Sequence, residues 1–182
     1  MKSAWSAGIC SVLLVAAASW VGTAGASTDA ASRLPLNALP RERIAVETRS
    51  IRRQLFEAWR AETPVAREQG LMFVEDREMR PDQAMIFVYD SPQRVAMWMK
   101  NTLLSLDMLF VDTRGCIVTI TERAQPESLA TISSRVPVVV VVELKAGTVA
   151  DRGIRVGDRV LRIDAGWPRE STACTTTDRM AP

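Results

Sequence analysis

The sequence predicts a mainly β protein, a small antiparallel sandwich or partly open barrel with short helices on its rim. Three observations carry that class. Leu106–Asp112 and Cys116–Glu122 are apolar, β-rich runs around Thr113-Arg114-Gly115, the pattern of a hairpin with a short Gly-containing turn. Val136–Leu144 contains five consecutive valines, a β-branched run that fits a core strand. The chain shows no strand–helix alternation of the βαβ kind and no Gly-rich nucleotide-binding motif.

The elements follow in order. Residues 27–50 are rich in Ala, Ser, Pro and Arg without periodicity and read as a flexible linker. Arg52–Glu62 is the first strand, with Leu55, Phe56 and Trp59 as its apolar members. Thr63-Pro64 starts a helix, Thr as N-cap and Pro at the first helical position; it runs to Gln69, carries Arg67 and stops at Gly70. Leu71-Met72-Phe73 returns to the core, and Glu75–Gln83 is a charged loop with a turn at Pro81-Asp82. Ala84–Tyr89 is a buried strand ended by Asp90-Ser91-Pro92. Val95–Lys100 alternates as a strand, which places Trp98 and Lys100 on one face and Met97 and Met99 on the other. After the hairpin and the valine strand, Thr148–Arg152 is a helical turn closed by Gly153. Gly157-Asp158 is a turn, and Arg159–Ile163 is the last strand. The folded domain therefore spans 51–164, and the polar residues 165–182 form a mobile C-terminal tail.

A chain of 182 residues, 47% hydrophobic and 24% charged, holds one domain with a real core plus appendages. Its net charge is +2 with the signs interspersed, so no basic patch marks a nucleic-acid partner. Lys2, the apolar run Ile9–Val21 and Ala24-Gly25-Ala26 read as a secretory signal over residues 1–26, cleaved before Ser27. The expected location is periplasmic or secreted in a bacterium. Ala7–Ala26 is almost long enough to span a bilayer, so membrane contact is expected only through this segment, if cleavage fails. The mature chain keeps Cys116 and Cys174. An oxidising compartment permits a bridge, but sequence does not show that the two are close enough, so pairing stays open. The chain has no histidine, which excludes Ser-His-Asp and Cys-His nucleophiles, H-E-x-x-H zinc sites and histidine proton shuttles. Acid–base work would fall to Asp, Glu, Lys, Tyr89 or the cysteines.

Several motifs then point to a family. Thr63-Pro64…Arg67-x-x-Gly70-Leu71-Met72, Ala84-Met85-Ile86-Phe87, Trp98-Met99-Lys100-Asn101-Thr102…Leu106-Asp107, Phe110-Val111-Asp112…Gly115 and Val142-Glu143-Leu144-x-Ala146-Gly147…Gly157-Asp158 resemble the DUF192 (UPF0127) family over about residues 55–162. The W-M-K-N-T block with its downstream L-D is the specific part. The resemblance implies a small β-rich secreted or membrane-associated domain and gives no reaction. This chain departs from the family pattern at Ala84, Met97, Ser105 and Val74. At Val74 the family carries an arginine, for which Arg77 is the nearest substitute.

The W-M-K-N-T block packs an aromatic, a cation, an amide and a hydroxyl into an otherwise apolar run, with a carboxylate close behind. Buried polar groups are costly unless bonded. Trp98, Lys100, Asn101, Thr102 and Asp107 are therefore expected to converge on a pocket, with the tryptophan as its wall. The structural alternative has Lys100 pairing Asp107 across a turn and Asn101 and Thr102 bonding loop backbone. Glu143, after five valines, is either a partly buried acid with a perturbed pKa or a strand-end residue in solvent; Glu122 reads as the latter. Arg67 is either a surface charge or the ion-pair partner of an acid. Met97, Met99, Met72, Met85 and Met108 would suit Cu(I), but alternation separates Trp98 from Met97 and Met99, and methionine is a routine core filler. No metal and no cofactor are expected. The reading is a binding or accessory module for a small polar ligand at Trp98, Lys100, Asn101, Thr102, Asp107, Arg67 and Glu143. The alternative is a hydrolase or lyase on a small polar or saccharide-like substrate, using Asp107 with Lys100 or Glu143.

Overall fold

A computed structural model of the chain describes residues 34–50, 52–168 and 174. The signal reading of residues 1–26, the start of the linker and most of the tail fall outside the described residues. Within them the strands are β1 (Arg41–Glu47), β2 (Arg53–Ala61), β3 (Gln83–Gln93), β4 (Ala96–Met97), β5 (Leu106–Val111), β6 (Ile117–Ala124), β7 (Ile132–Ser133), β8 (Val138–Lys145) and β9 (Arg159–Arg162). The α-helices are α1 (Pro64–Gln69) and α2 (Thr148–Arg152). Thr63 caps α1, its Oγ1 accepting from Ala66 N at 3.2 Å. None of the described helices is long and apolar enough to cross a membrane.

Seven strands form one sheet in the order β6-β5-β8-β3-β2-β1-β9, curled into a half-barrel, and β4 pairs β7 in a small second sheet. The predicted hairpin is present, with β5 and β6 antiparallel and Leu109 opposite Ile120. The valine strand β8 lies between β5 and β3. One pairing departs from the antiparallel expectation: β2 and β3 run parallel, Trp59 opposite Met85. Parallel neighbours need a crossover, and the segment carrying α1 supplies it.

The barrel closes at one end. β6 and β9 are the outer strands of the sheet, yet Ile117 N donates to Asp158 O at 2.9 Å, Gly157 N to Ile117 O at 2.8 Å and Val160 N to Gly115 O at 2.8 Å. Gly115 has φ +82°, and a Cβ there would stand 2.8 Å from the Val160 carbonyl oxygen, so the closure requires glycine. At this seam Cys116 is disulfide-bonded to Cys174, with Cα atoms 5.5 Å apart. The cysteines left open by the sequence do pair.

Four expectations are corrected. Residues 41–47 are not linker but β1, between β2 and β9. Its charged start hid it: Glu42 is only 3% exposed because Arg162 donates to its two oxygens at 2.6 and 2.8 Å and Arg60 lies 3.5 Å away. The tail is not free throughout, since Trp167 bridges to Arg162 and Cys174 is cross-linked. β3 continues to Gln93, through the expected stop at Asp90-Ser91-Pro92. Of Val95–Lys100 only Ala96–Met97 is strand, because its one partner, β7, is two residues long.

The sheet buries both faces. On one, Met85 and Phe87 of β3 pack with Leu71, Met99 and Met108 beneath α1 and the loops that follow it. On the other, Ala84 and Ile86 pack with Leu109, Val142 and Val149. Strand alternation therefore sends neighbouring residues into different cores. Met108 lies opposite Glu143 and Asp107 opposite Leu144, so the two acids face opposite sides.

Candidate functional site

Alternation along β8 places Glu143 on the same face as Val141. Its cross-strand neighbours are Met85 of β3 and Met108 of β5, both apolar. Glu143 is 4% exposed, and its Oε2 has no hydrogen-bond partner. Burial pushes its carboxyl up to about 8.

Glu143 lines a cavity of about 240 Å³. Phe87 and Tyr89 enter from β3, two and four residues past Met85 on the same face. Gly70 ends α1 at φ +50°, where a Cβ would come within 3.2 Å of the Phe87 ring. Glycine thus both turns the chain and admits the ring. Arg67, in the last turn of α1, donates to the carbonyls of Val88 (2.9 Å) and Glu62, and its guanidinium lies 5.2 Å from the centre of the Tyr89 ring. The Tyr89 hydroxyl donates to Met97 Sδ at 4.0 Å. Burial pushes the Tyr89 phenol up to about 12; Arg67 opposes the rise and Glu143 adds to it.

The W-M-K-N-T block forms a loop rather than a strand beside this cavity. Met99 is its core anchor, fully buried, with its N–H donating to Ser128 O at 3.0 Å. Trp98, 46% exposed, stands at the mouth, and buried Thr102 lines the wall. Lys100 is exposed, its Nζ 5.4 Å from the Trp98 ring, and does not line the cavity. Asn101 has φ +54°, a conformation Asn tolerates better than most residues. Its carbonyl accepts from Phe73 N at 2.8 Å, tying this loop to the one after α1. Asp107 lies on the opposite face, wholly buried. Its Oδ1 accepts from Arg123 N and its Oδ2 from Val149 N, each at 2.9 Å.

The expected convergence of Trp98, Lys100, Asn101 and Asp107 therefore does not occur. The structure brings Trp98 and Thr102 together with Arg67 and Glu143, and leaves Lys100, Asn101 and Asp107 outside. Lys100 does meet Trp98, but within a loop rather than across one face of a strand, and Asp107 is one residue out of phase with the cavity-facing side of β5. Glu122 is exposed, as read. Met85, Met99 and Met108 pack in the core, whereas Met72 and Met97 line the cavity. Among the described residues no three Cys, Asp or Glu side chains cluster as a cation site. The sequence reading missed Phe87, Tyr89 and Met97; continuing the alternation of β3 from Met85 would have found the first two.

The comparisons agree with this fold. A family model named DUF192, described as an uncharacterized ACR, matches residues 45–162. No curated protein matches the chain. The chain is similar to a crystal structure from Sinorhizobium meliloti 1021 described as a candidate transcription regulator. That match has 46% identity and a TM-score of 0.65, and covers 68% of this chain and 94% of that one. It is also similar to a protein of unknown function from Novosphingobium aromaticivorans DSM 12444, at 29% identity and a TM-score of 0.66, covering 70% of this chain and 89% of that one.

Proposed function

The chain belongs to the DUF192 family, and from that membership and the chemistry of the cavity we propose that it is an exported domain that binds a small polar ligand. The observation that carries the reading is Glu143: a buried carboxyl with an unpartnered oxygen on an aromatic-walled cavity. A cavity in which aromatic walls meet convergent polar groups and a perturbed titrating group is a default candidate for a binding site. Arg67, Glu68, Gln69, Tyr89 and Thr102 supply the other polar groups, and Phe87 and Trp98 aromatic walls.

The rival reading, a hydrolase or lyase, needed Asp107 in one site with Lys100 or Glu143. Asp107 is on the other face with both oxygens accepting from backbone N–H groups, so the pairing that reading needed does not form; the titrating groups that line the cavity are Glu143, Glu68 and Tyr89. Among the described residues nothing supports a helix-borne DNA-reading role, since α1 and α2 are six and five residues long, too short for a groove-reading helix.

Export is supported by Ala24-Gly25-Ala26 and by the Cys116–Cys174 disulfide, which suits an oxidising compartment. Intact mass of protein from the periplasmic fraction is expected to show a chain starting at Ser27; a retained Met1 would refute this. The binding reading is tested by a thermal-shift screen of metabolites, sugars and amines on the mature chain. A native-state ligand at a hundred times its Kd adds about 2.7 kcal/mol of stability. The expected hit raises the melting point of the wild type and does so less for Glu143→Gln. A screen in which every hit stabilises both proteins equally would sink the assignment of the site.

A further inference from the structure

We infer that the Glu143 cavity takes a small primary ammonium ion, whose N–H groups donate to the Glu143 carboxylate while Phe87, Tyr89 and Trp98 enclose its alkyl stem. This rests on the reading of the cavity as a binding site and names the chemical class of its ligand.

The argument starts from what the floor of the cavity lacks. Glu143 Oε2 is buried and receives no hydrogen bond, and its neighbours across β3 and β5 are Met85 and Met108. No described Lys or Arg side chain forms an ion pair with it. A buried carboxylate is costly without both a counter-charge and donors. A neutral hydroxyl ligand would bring a donor only. A tetraalkylammonium would bring charge only. A primary ammonium brings both.

The walls agree. Aromatic faces attract cations. In this protein Tyr89 already holds the Arg67 guanidinium at 5.2 Å and Trp98 the Lys100 ammonium at 5.4 Å. The other charged groups facing Glu143 come from α1. Arg67 is held by backbone carbonyls, and Glu68 is exposed beside it, so their charges offset each other at the rim. Tyr89, with its phenol pushed up to about 12, stays neutral across the working range. The loop carrying Trp98 and Thr102 adds no charged side chain to the lining. A cavity of about 240 Å³ is smaller than a drug-sized pocket and sets a small ligand.

Charge pairing dictates a pH signature. Burial holds the free Glu143 carboxyl up to about 8, so below that pH it must release a proton to pair with an ammonium. Affinity for an alkylammonium should rise about tenfold per pH unit from pH 6 to 8 and then level, since an alkylamine, like lysine, stays protonated to about pH 10. A neutral ligand accepting from the protonated carboxyl would show the opposite trend, weakening above pH 8.

Calorimetry on the mature chain with n-butylammonium, tetramethylammonium, 1-butanol and glucose tests this. The expected result is n-butylammonium binding at least about tenfold tighter than 1-butanol, with proton release at pH 7 and tetramethylammonium between the two. Glu143→Gln should abolish both the preference and the pH dependence. Should Glu143→Gln fail to fold, the wild-type pH profile decides, together with Trp98→Ala, which alters a half-exposed residue and should weaken n-butylammonium. Equal or tighter binding of 1-butanol or glucose would overturn the ammonium inference and leave the binding site standing. No binding of n-butylammonium at pH 8 would also overturn it, and the site itself would then be judged by the broad screen.

Discussion

Asp107 and Glu143 sit on adjacent strands, one register step apart, and face opposite cores. One is satisfied by two backbone N–H groups; the other keeps an unpartnered oxygen beside a cavity. That difference makes Glu143 a stability sensor. Its folded-state pKa of about 8 stands above the ordinary 4.5, so the native state holds a proton that the unfolded chain has shed. The Glu143 contribution is complete below pH 4.5 and is lost as pH rises toward 8, at about 1.4 kcal/mol per pH unit. Glu143→Gln removes the titration. Urea melts from pH 4 to 9 should show a shallower decline for the variant and higher stability than wild type at pH 8. Parallel curves would say that the carboxyl is paired or solvated. The sequence left this residue open between a buried acid and a strand-end charge; the structure buries it, between two methionines that the sequence did not reveal as its neighbours.

At the scale of elements, Asp107 joins three pieces of the fold. Gly147 precedes α2 and offers no side-chain cap, so the N–H of Val149 in the first turn is met by Asp107 from β5. The other oxygen holds Arg123 N at the end of β6. Asp107→Asn puts an amide where two acceptors are needed and leaves one buried N–H facing another donor. Hydrogen bonds to charged groups contribute about 1.5–3 kcal/mol, so a loss of about 3 kcal/mol is expected in denaturant melts, with the cavity face unaffected. A loss under about 1 kcal/mol would show that α2 finds another cap. This role explains why the W-M-K-N-T…L-D block misled. Its residues look like one polar cluster in sequence, but the strand ends at Met97, Asn101 turns with positive φ, and Asp107 faces away. The block is an anchor and a clasp, with Trp98 and Thr102 alone reaching the cavity. β1 was invisible for a similar reason: Arg-Glu-Arg reads as solvent-exposed until Arg162 is placed beside Glu42.

The whole molecule is held by its seam. The fold class was readable from the hairpin and the valine run, since both are local patterns. The parallel β2–β3 pair, the meeting of β6 with β9 and the disulfide were not, because each depends on partners far apart in the chain. The Cys116–Cys174 bond closes a separation of 58 residues. Loop-entropy arguments give such a cross-link roughly 4 kcal/mol as an upper figure. Cys116→Ser, or reduction with dithiothreitol, should lower the unfolding midpoint accordingly while leaving the 240 Å³ cavity and its ligand preference intact. An unchanged midpoint would mean that the backbone hydrogen bonds of the seam suffice alone.

The position of β1 has a consequence in time. Made early, it finds its sheet partner β9 only after more than a hundred further residues: Glu42 and Arg162 are 120 positions apart. Until Arg162 arrives, Glu42 lacks its principal counter-charge and β1 lacks one neighbour. Folds dominated by such distant pairings form slowly, because the chain entropy is lost before the contacts form. The seven-stranded sheet therefore cannot be completed before β9 has been made, although β1 with β2 and β5 with β6 can pair earlier.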